Sequence, residues 1–204
     1  ELANLRRFEG RFEDSERQFK RALAIQQRIF DGPHKDTAAT LTHLAVLYYE
    51  MQRLEDSLKL QRQALEMTRA VLGPSHNETA DRMNNLALVL QELDRYQEAE
   101  RYLREALGIR LDALGPRHPA TLVAQYNLGL LLRSTGRYRQ AEALFRELLP
   151  LRRAVQGATH PSVAYTSSAY GGVMTALGRF DAAETLLKDA LRVLSAKLGE
   201  SHWR

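Results

Sequence analysis

The residue pattern of this chain recurs every 42 positions, and this period constrains the fold more than any other feature. Five of the six histidines keep the interval, and so does a column of arginines. A period of this length without insertions indicates tandem units, each of which is one supersecondary element that packs on its neighbours. The two columns consist of His34, His76, His118, His160 and His202, and of Arg11, Arg53, Arg95, Arg137 and Arg179.

Each unit is predicted to contain two helices. In the unit that follows His76, apolar residues recur at helical spacing from Met83 to Leu90, and again from Tyr96 to Ile109. Gly115-Pro116 ends the second helix, because glycine accepts a left-handed cap and proline cannot continue the hydrogen-bond ladder. First helices are predicted near 36–50, 78–92, 119–134 and 161–177, and second helices near 12–30, 54–72, 96–114, 138–156 and 180–198.

Small residues recur where the two helices of a unit should meet. One such column lies on the first helix and the other on the second. Small side chains there let the helix backbones approach closely, and the remaining apolar surface is buried only when neighbouring units stack into a solenoid. The columns are Ala45, Ala87, Gly129 and Gly171, and Ser57, Ala99, Ala141 and Ala183.

Composition excludes several classes of protein. The chain has no cysteine, so disulfides, cysteine-based metal sites and cysteine nucleophiles are absent. The net charge of +4 is small and both signs are interspersed, which argues against nucleic-acid binding. No apolar run approaches the ~18 residues of a membrane span, and no nucleotide, hydrolase or metalloprotease motif is present. We therefore expect a cytoplasmic protein that is not an enzyme, needs no cofactor, and binds neither nucleic acid nor membrane.

These columns resemble tetratricopeptide repeats. One copy carries Leu41, Leu44, Ala45, Tyr48, Ser57 and Ala64, where that pattern has its large, small and aromatic positions. The usual period is about 34 residues, so both helices are longer here. The longer form is similar to the repeats of kinesin light chain and nephrocystin-like proteins. The resemblance is carried by the string Asn84-Asn85-Leu86-Ala87 and by the connector Leu114-Gly115-Pro116-Arg117-His118-Pro119.

The resemblance implies an all-α fold: a right-handed superhelical solenoid of stacked antiparallel helix pairs. We interpret 1–204 as a single array and as a fragment of a longer protein. The array comprises a partial repeat at 1–34, four full repeats at 35–76, 77–118, 119–160 and 161–202, and the start of a further repeat at 203–204.

Neither conspicuous column is predicted to form a site. Adjacent repeats are displaced by roughly one helix spacing, ~10 Å, whereas zinc needs ligands within ~2 Å of one point. Neighbouring histidines therefore cannot share an ion, and we expect them to cap helices or contact the connector; no metal site is predicted. The arginines are expected to be exposed near a helix C-terminus, where the helix dipole favours a cation.

The candidate site is the concave face, which the stacked first helices of such solenoids line. In resembling families, asparagine in one column holds the main chain of the ligand, and this role carries over to Asn85 and Asn127 only; His43 and Ala169 depart from it. Acidic residues lie on the earlier rows and Arg133 on a later one, so we expect the negative end of a ligand to face Arg133, with Tyr126 beside it as an aromatic platform. The predicted peptide-binding residues are His43, Tyr49, Asn84, Asn85, Gln91, Tyr126, Asn127 and Arg133.

Three functions follow from this interpretation. The first is a scaffold that binds a protein or extended peptide in the groove. The second is a regulatory or sensor segment that acts on another domain of the same polypeptide. The string Gly199-Glu200-Ser201-His202-Trp203-Arg204 resembles the end of arrays in bacterial multidomain signalling proteins, including Ser/Thr kinases. The third is a small-molecule-binding accessory domain. An upstream catalytic domain would favour the second, and a bound metabolite the third.

Overall fold

The computed structural model describes residues 2–198, and within that range the chain forms ten helices in succession. Every predicted helix boundary agrees with the structure to within one residue. His202-Trp203-Arg204, which were predicted to begin another repeat, lie outside the described residues. The helices are α1 (Leu2–Phe8), α2 (Phe12–Ile29), α3 (Lys35–Glu50), α4 (Leu54–Leu72), α5 (Asn77–Glu92), α6 (Tyr96–Leu114), α7 (Pro119–Ser134), α8 (Tyr138–Gln156), α9 (Pro161–Ala176) and α10 (Phe180–Leu198).

The helices group into two compact units, Glu1–Ile109 and Arg110–Arg204, and the division falls within α6. In the first unit each of the helices α2 to α4 packs between the helix before it and the helix after it. In the second unit α8 packs against α7 and α9, and α9 packs against α10. Each unit therefore has the alternation of first and second helices that the period predicts.

Close helix contact at the small-residue columns confirms the predicted packing. A Cβ placed on Gly129 of α7 would lie 2.6 Å from Cζ of Phe145 on α8, which is closer than two carbons can approach. In the first unit, Ser57 Oγ of α4 donates a hydrogen bond of 2.7 Å to the carbonyl of Ala45 on α3. Ala45 and Phe145 are both fully buried. The small columns therefore bring each second helix against the first helix of its own repeat.

The histidine column caps the first helices, as expected. In each described copy the imidazole Nδ1 accepts a hydrogen bond of 3.2 Å from the backbone N–H two residues further on. One of the N–H groups that lack an intrahelical partner at the helix start is thereby satisfied. The capping pairs are His34 with Asp36, His76 with Glu78, His118 with Ala120, and His160 with Ser162.

A second contact recurs between the end of a second helix and the start of the next first helix. Gln26 donates to the carbonyl of Asp36 at 3.4 Å, and Arg152 donates to that of Ser162 at 2.9 Å. Arg110 makes the same contact with Ala120 at 3.1 Å. All three donors lie ten residues before their acceptor. This contact and the histidine cap together orient the start of α3, α7 and α9; before α5 the equivalent residue is Thr68, whose hydroxyl has no hydrogen-bond partner among the described residues.

The arginine column lies between the two helices of a repeat. The backbone N–H of Arg53 donates to the carbonyl of Tyr48 in the last turn of α3 at 2.8 Å, so the residue is near a helix C-terminus, as predicted. It is also the N-cap residue of α4, which was not predicted, and its side chain makes no capping hydrogen bond. A cation is disfavoured at a helix N-terminus, and nearby carboxylates offset this. Arg53 contacts Asp56 at 2.7 Å and Glu16 at 3.3 Å, and its guanidinium lies 3.9 Å from the centroid of the Tyr48 ring. It therefore links two successive repeats.

Candidate peptide-binding face

The predicted binding residues lie on three first helices. His43 and Tyr49 lie on α3, and Asn84, Asn85 and Gln91 lie on α5, all within the first unit. The second unit contributes Tyr126, Asn127 and Arg133 from α7.

The structure brings Tyr49 and Asn85 together in the wall of a cavity of about 300 Å³ between α3 and α5, which we name the α3–α5 pocket. Three of its lining residues are aliphatic, and one of them, Leu88, remains 47% exposed although its side chain is large and apolar. A neighbouring second helix, α4, contributes one further residue. The lining residues are Val46, Tyr49, Glu50, Gln61, Asn85, Leu88 and Val89.

Gln61 is a site residue that the sequence interpretation missed. It is only 2% exposed, and its Oε1 accepts no hydrogen bond from any described residue. A buried acceptor without a partner is disfavoured by about 1–3 kcal/mol. The signal was present in the sequence, because the residues at the same position of the other repeats are all apolar: Phe19, Leu103, Phe145 and Leu187.

One acidic residue, Glu50, lines the α3–α5 pocket, and a second, Glu92, bonds to the hydroxyl of Tyr49. Burial raises the pKa of the Tyr49 hydroxyl above its usual value, and a hydrogen bond to the Glu92 carboxylate raises it further. Glu50 is paired with Arg7 of α1. The hydroxyl of Tyr49 is therefore held in its protonated form and positioned by Glu92.

His43 is not in the pocket wall. Its side chain is exposed, and its ring centroid lies 6.0 Å from that of Phe19. Partial burial lowers the pKa of the His43 imidazole, and the nearby cations Arg7 and Arg82 lower it further. At neutral pH this position is therefore a neutral imidazole beside two guanidinium groups.

Two residues of α5 that were predicted to bind a ligand are less exposed than expected. Asn84 is only 6% exposed, so it faces the helix packing and is not available to a ligand on the surface. It occupies the column of Thr42, which is equally buried, and the two form part of the helix interface. Gln91 is half-buried, and its Nε2 donates a 3.2 Å hydrogen bond to the carbonyl of Ala87 in its own helix.

In the second unit, Tyr126 is part of a packed cluster rather than a free platform. The guanidinium of Arg152 lies 4.7 Å from the centroid of its ring, and the Phe145 ring lies 6.2 Å away. Burial raises the pKa of the Tyr126 hydroxyl. Asn127 is half-buried, whereas Arg133 is exposed and its Nη1 lies 3.5 Å from where a Cβ of Gly172 would be. Arg133 is thus the most accessible of the three.

Arg152 was also missed, because arginine was expected only on the surface. It is 3% exposed and is held by neutral oxygens: the carbonyls of Ser162 and Leu122 at 2.9 and 3.0 Å, and Thr166 Oγ1 at 2.8 Å. Burial lowers the pKa of this guanidinium. The chain therefore contains a buried arginine that is stabilised by an aromatic ring and uncharged acceptors.

The described residues contain no cluster of three or more histidine, cysteine, aspartate or glutamate side chains that could hold a metal ion. Within the same part of the chain, no helix combines the length and the apolar character needed to cross a bilayer.

A family model described as tetratricopeptide repeat matches four overlapping segments, residues 1–70, 36–112, 83–154 and 141–196. The chain belongs to the tetratricopeptide-repeat family. The predicted family and fold class, an all-α solenoid of antiparallel helix pairs, are thereby confirmed. No match to this tetratricopeptide-repeat chain is found among curated proteins.

Solved structures with similar folds include kinesin-light-chain-like proteins. BtubC (BKLC) from P. vanneervenii is 27% identical over 97% of this tetratricopeptide-repeat chain and 79% of its own, with a TM-score of 0.86. A putative kinesin light chain from Podosopora anserina is 20% identical over 98% and 94% of the two chains, with a TM-score of 0.83. A Rap protein in complex with competence and sporulation factor is 17% identical over 98% of this chain and 53% of its own, with a TM-score of 0.75.

Proposed function

We propose that this chain is a scaffold that binds an extended peptide or protein segment on the faces of its first helices. The observation that carries the proposal is the α3–α5 pocket, where Tyr49 and Asn85 line one cavity with the exposed apolar side chain of Leu88. An asparagine amide can donate to a peptide carbonyl and accept from a peptide N–H at the same time. The half-buried Asn127 offers the same chemistry on α7.

The family and the solved relatives support this function at a coarse level. Tetratricopeptide repeats form a scaffold fold, and the Rap relative was solved in complex with competence and sporulation factor. We extend peptide binding to this chain as a proposal. We further propose that the chain acts in the cytoplasm as one array, with full repeats at 35–76, 77–118, 119–160 and 161–202, and without catalytic activity.

The proposal is tested by selecting peptides from a random display library on the immobilised 204-residue chain. Selected peptides are then titrated against the wild type and against Asn85→Ala and Asn127→Ala. We expect each variant to weaken binding by roughly 1–3 kcal/mol, since a buried peptide group loses its partner. Both variants should melt close to the wild type, because neither side chain is fully buried.

A matched control is Gln18→Ala, which removes an exposed amide from the second helix α2. It should leave the affinity unchanged. If no peptide is selected, or if Gln18→Ala weakens binding as much as the two asparagine variants do, the first-helix faces are not the binding surface.

A further inference from the structure

Two arginines of successive repeats bind one carboxylate in the first unit. Arg62 of α4, and Arg95 at the turn between α5 and α6, each contact Glu98 in the first turn of α6 at 2.6 Å. Partial burial raises the pKa of the Glu98 carboxyl, but the interactions with Arg62 and Arg95 bring it below its usual value. The three residues therefore show how such a pair of guanidinium groups holds an anion in this fold.

The second unit has the same two arginines and lacks the carboxylate. Two periods after the three positions stand Arg146 of α8, Arg179 at the turn between α9 and α10, and Ala182 in the first turn of α10, which we name the α8–α10 junction. Ala182 is exposed, and Arg146 is exposed and forms no ion pair with a described residue. Arg146 therefore lacks the carboxylate that its counterpart Arg62 binds.

A tyrosine hydroxyl lies within electrostatic reach of both arginines. Burial raises the pKa of the Tyr170 hydroxyl and Glu142 raises it further, whereas Arg146 and Arg179 lower it. Glu142 is paired with Arg179 and is largely covered, since only 13% of its side chain is exposed. The side chain of Arg179 is 56% exposed, and the ion pair uses only its Nη1. Because a guanidinium has five N–H donors, Arg179 can bind a second carboxylate from solvent.

Arg53 shows that an arginine at this position does bind two carboxylates at once. It contacts Glu16 through Nη1 at 3.3 Å and Asp56 through Nη2 at 2.7 Å. Three periods later, these two carboxylates correspond to Glu142 and Ala182. The junction therefore keeps the inner acidic position and has alanine at the outer one.

The charges of the junction match a single carboxylate better than a dianion. The guanidinium groups of Arg146 and Arg179 and the carboxylate of Glu142 leave one positive charge. Asp181, which is exposed beside Ala182 in the first turn of α10, would repel a second negative charge. One carboxylate is thus balanced, whereas a phosphate dianion would leave an excess of negative charge.

A further exposed arginine extends the junction along α8. Arg139 lies two helical turns before Arg146, so the two project from the same side of α8, about 10 Å apart along its axis. Arg139 also lines a cavity of about 380 Å³ together with Leu177. An extended peptide spans that distance in about three residues, so carboxylates at this spacing can reach both arginines.

We propose that the α8–α10 junction binds an acidic segment of a protein partner, one of whose carboxylates lies between Arg146 and Arg179 as Glu98 lies between the corresponding arginines of the first unit. Charge complementarity selects this occupant, since the arginines carry a cation that no described carboxylate pairs. The inference goes beyond the proposed function, because these residues belong to second helices and to a turn, and not to the first-helix faces.

The first test titrates the capped peptide Ac-Gly-Glu-Glu-Glu-Glu-Gly-NH₂, or the same peptide with glutamine in place of glutamate, into the ¹⁵N-labelled chain. The Nε–H signals of Arg146 and Arg179 are followed at about 20 mM salt, where screening is weak. We expect saturable shifts with the glutamate peptide, and binding at least about threefold weaker with the glutamine peptide, because the ion pairs are lost. Equal binding of the two peptides would overturn the proposal.

Arg146→Ala should weaken the glutamate peptide at least about threefold. The variant should fold as the wild type does, since Arg146 is exposed and forms no ion pair with a described residue. The matched control is Arg117→Ala, which removes an exposed arginine from the same unit and should leave binding unchanged. An equal loss in both variants would show a general attraction to basic surface and would overturn the site.

Ala182→Glu supplies the carboxylate from the chain itself. We expect the new side chain to occupy the two arginines, as Glu98 does in the first unit, so that the glutamate peptide no longer shifts Arg146 and Arg179. Ala154→Glu adds the same charge at an exposed position of α8 and should leave these shifts in place. Unchanged peptide binding by Ala182→Glu would overturn the assignment.

Glu98→Ala makes the opposite exchange in the first unit. It leaves Arg62 and Arg95 without the carboxylate that both of them contact. The Nε–H signals of these two arginines, which should stay fixed in the wild type, should then shift with the glutamate peptide. Fixed signals in Glu98→Ala would contradict the inference, because the same arrangement would then fail to take an external carboxylate.

Discussion

Phe145 fills the space that a side chain at Gly129 would need. A Cβ on Gly129 would lie 2.6 and 2.7 Å from two carbons of the Phe145 ring, which is itself fully buried. One repeat earlier, the same two positions are held by Ala87 and Leu103. In these two repeats the larger residue on the second helix faces the smaller one on the first, so the pair compensates in volume.

We predict that Gly129→Ala destabilises the chain by about 1–3 kcal/mol, because the added methyl group overpacks a contact that has no free space. Urea denaturation measures the effect. Gly108→Ala is the matched control: this helical glycine has no atom within 4 Å of a Cβ, so alanine there should be neutral or stabilising through helix propensity. Equal destabilisation by both variants would contradict the packing account.

A double-mutant cycle sharpens this prediction. In a Phe145→Leu background the pair becomes alanine and leucine, as in Ala87 and Leu103. Gly129→Ala should therefore destabilise the Phe145→Leu chain less than the wild type, with a coupling energy of at least about 0.5 kcal/mol. Strict additivity of the two changes would show that the Phe145 ring does not exclude the methyl group.

We predict that His118→Ala lowers the unfolding free energy by about 1 kcal/mol, because the N–H of Ala120 loses its capping acceptor. His118→Ser should retain most of the stability, since a serine oxygen caps equally well. Chemical denaturation of the three proteins tests this. Zinc should not stabilise the wild type; a zinc-dependent rise in Tm that His118→Ala abolishes would mean that the histidine acts as a ligand.

We predict that Arg53→Ala destabilises more than Arg95→Ala. Arg53 contacts the Tyr48 ring and Glu16 of the preceding repeat, so its loss should amount to about 1 kcal/mol. Arg95 pairs with Glu98 three residues along its own helix, so its loss should stay within about 0.5 kcal/mol. Thermal melts at low and high salt make the comparison. The reverse order would exclude Arg53 as a link between repeats.

We predict that His43 titrates below the usual histidine value of about 6.5, chiefly because partial burial, and then Arg7 and Arg82, disfavour the imidazolium. The contribution of His43 to stability is then complete above about pH 6.5 and is lost as the pH falls through the lowered pKa, since the unfolded chain takes up the proton first. NMR titration measures the pKa, and Arg82→Gln should raise it. An unchanged pKa in that variant would exclude the charge effect.

We predict that Arg133 distinguishes ligand charge. Two library-selected peptides that differ only by reversal of their acidic residues to lysine should differ in affinity for the wild type, and the preference should shrink or invert in Arg133→Glu. The exposed position of Arg133 makes loss of folding an unsuitable explanation for such a result. Equal affinities throughout would show that this part of α7 does not contact the ligand.

The helices could be predicted from the sequence because the residues that mark each helix boundary recur every 42 positions. His118-Pro119 and Gly115 mark the start of one helix and the end of another, and their counterparts in other repeats mark equivalent points. The capping residues and the 42-residue period indicate the same helix boundaries there. The predicted bounds of α7 and α8 are therefore identical to the observed ones.

Side-chain display was harder to predict. Asn84 and Asn85 are adjacent, but successive residues on a helix are rotated by about 100°, which here separates a buried amide from a half-buried one. Gln61 was overlooked because the other repeats have apolar residues at its position. The repeat pattern therefore predicted a core position and gave no attention to the one polar residue there. Arg152 was overlooked because its acceptors are backbone carbonyls, which no residue type in the sequence reveals.

The histidine caps have a consequence for how such a chain can change in length. Since each described cap uses the same atom and the same offset, a segment of 42 residues cut at one histidine and rejoined at another would recreate the original junction. Recombination at these points would therefore add or remove a complete unit while keeping the histidine cap at the junction. The surface offered to a partner would lengthen or shorten in whole steps, and a pocket that spans two repeats, such as the one beside Gln61, would survive only where both of its repeats stayed neighbours.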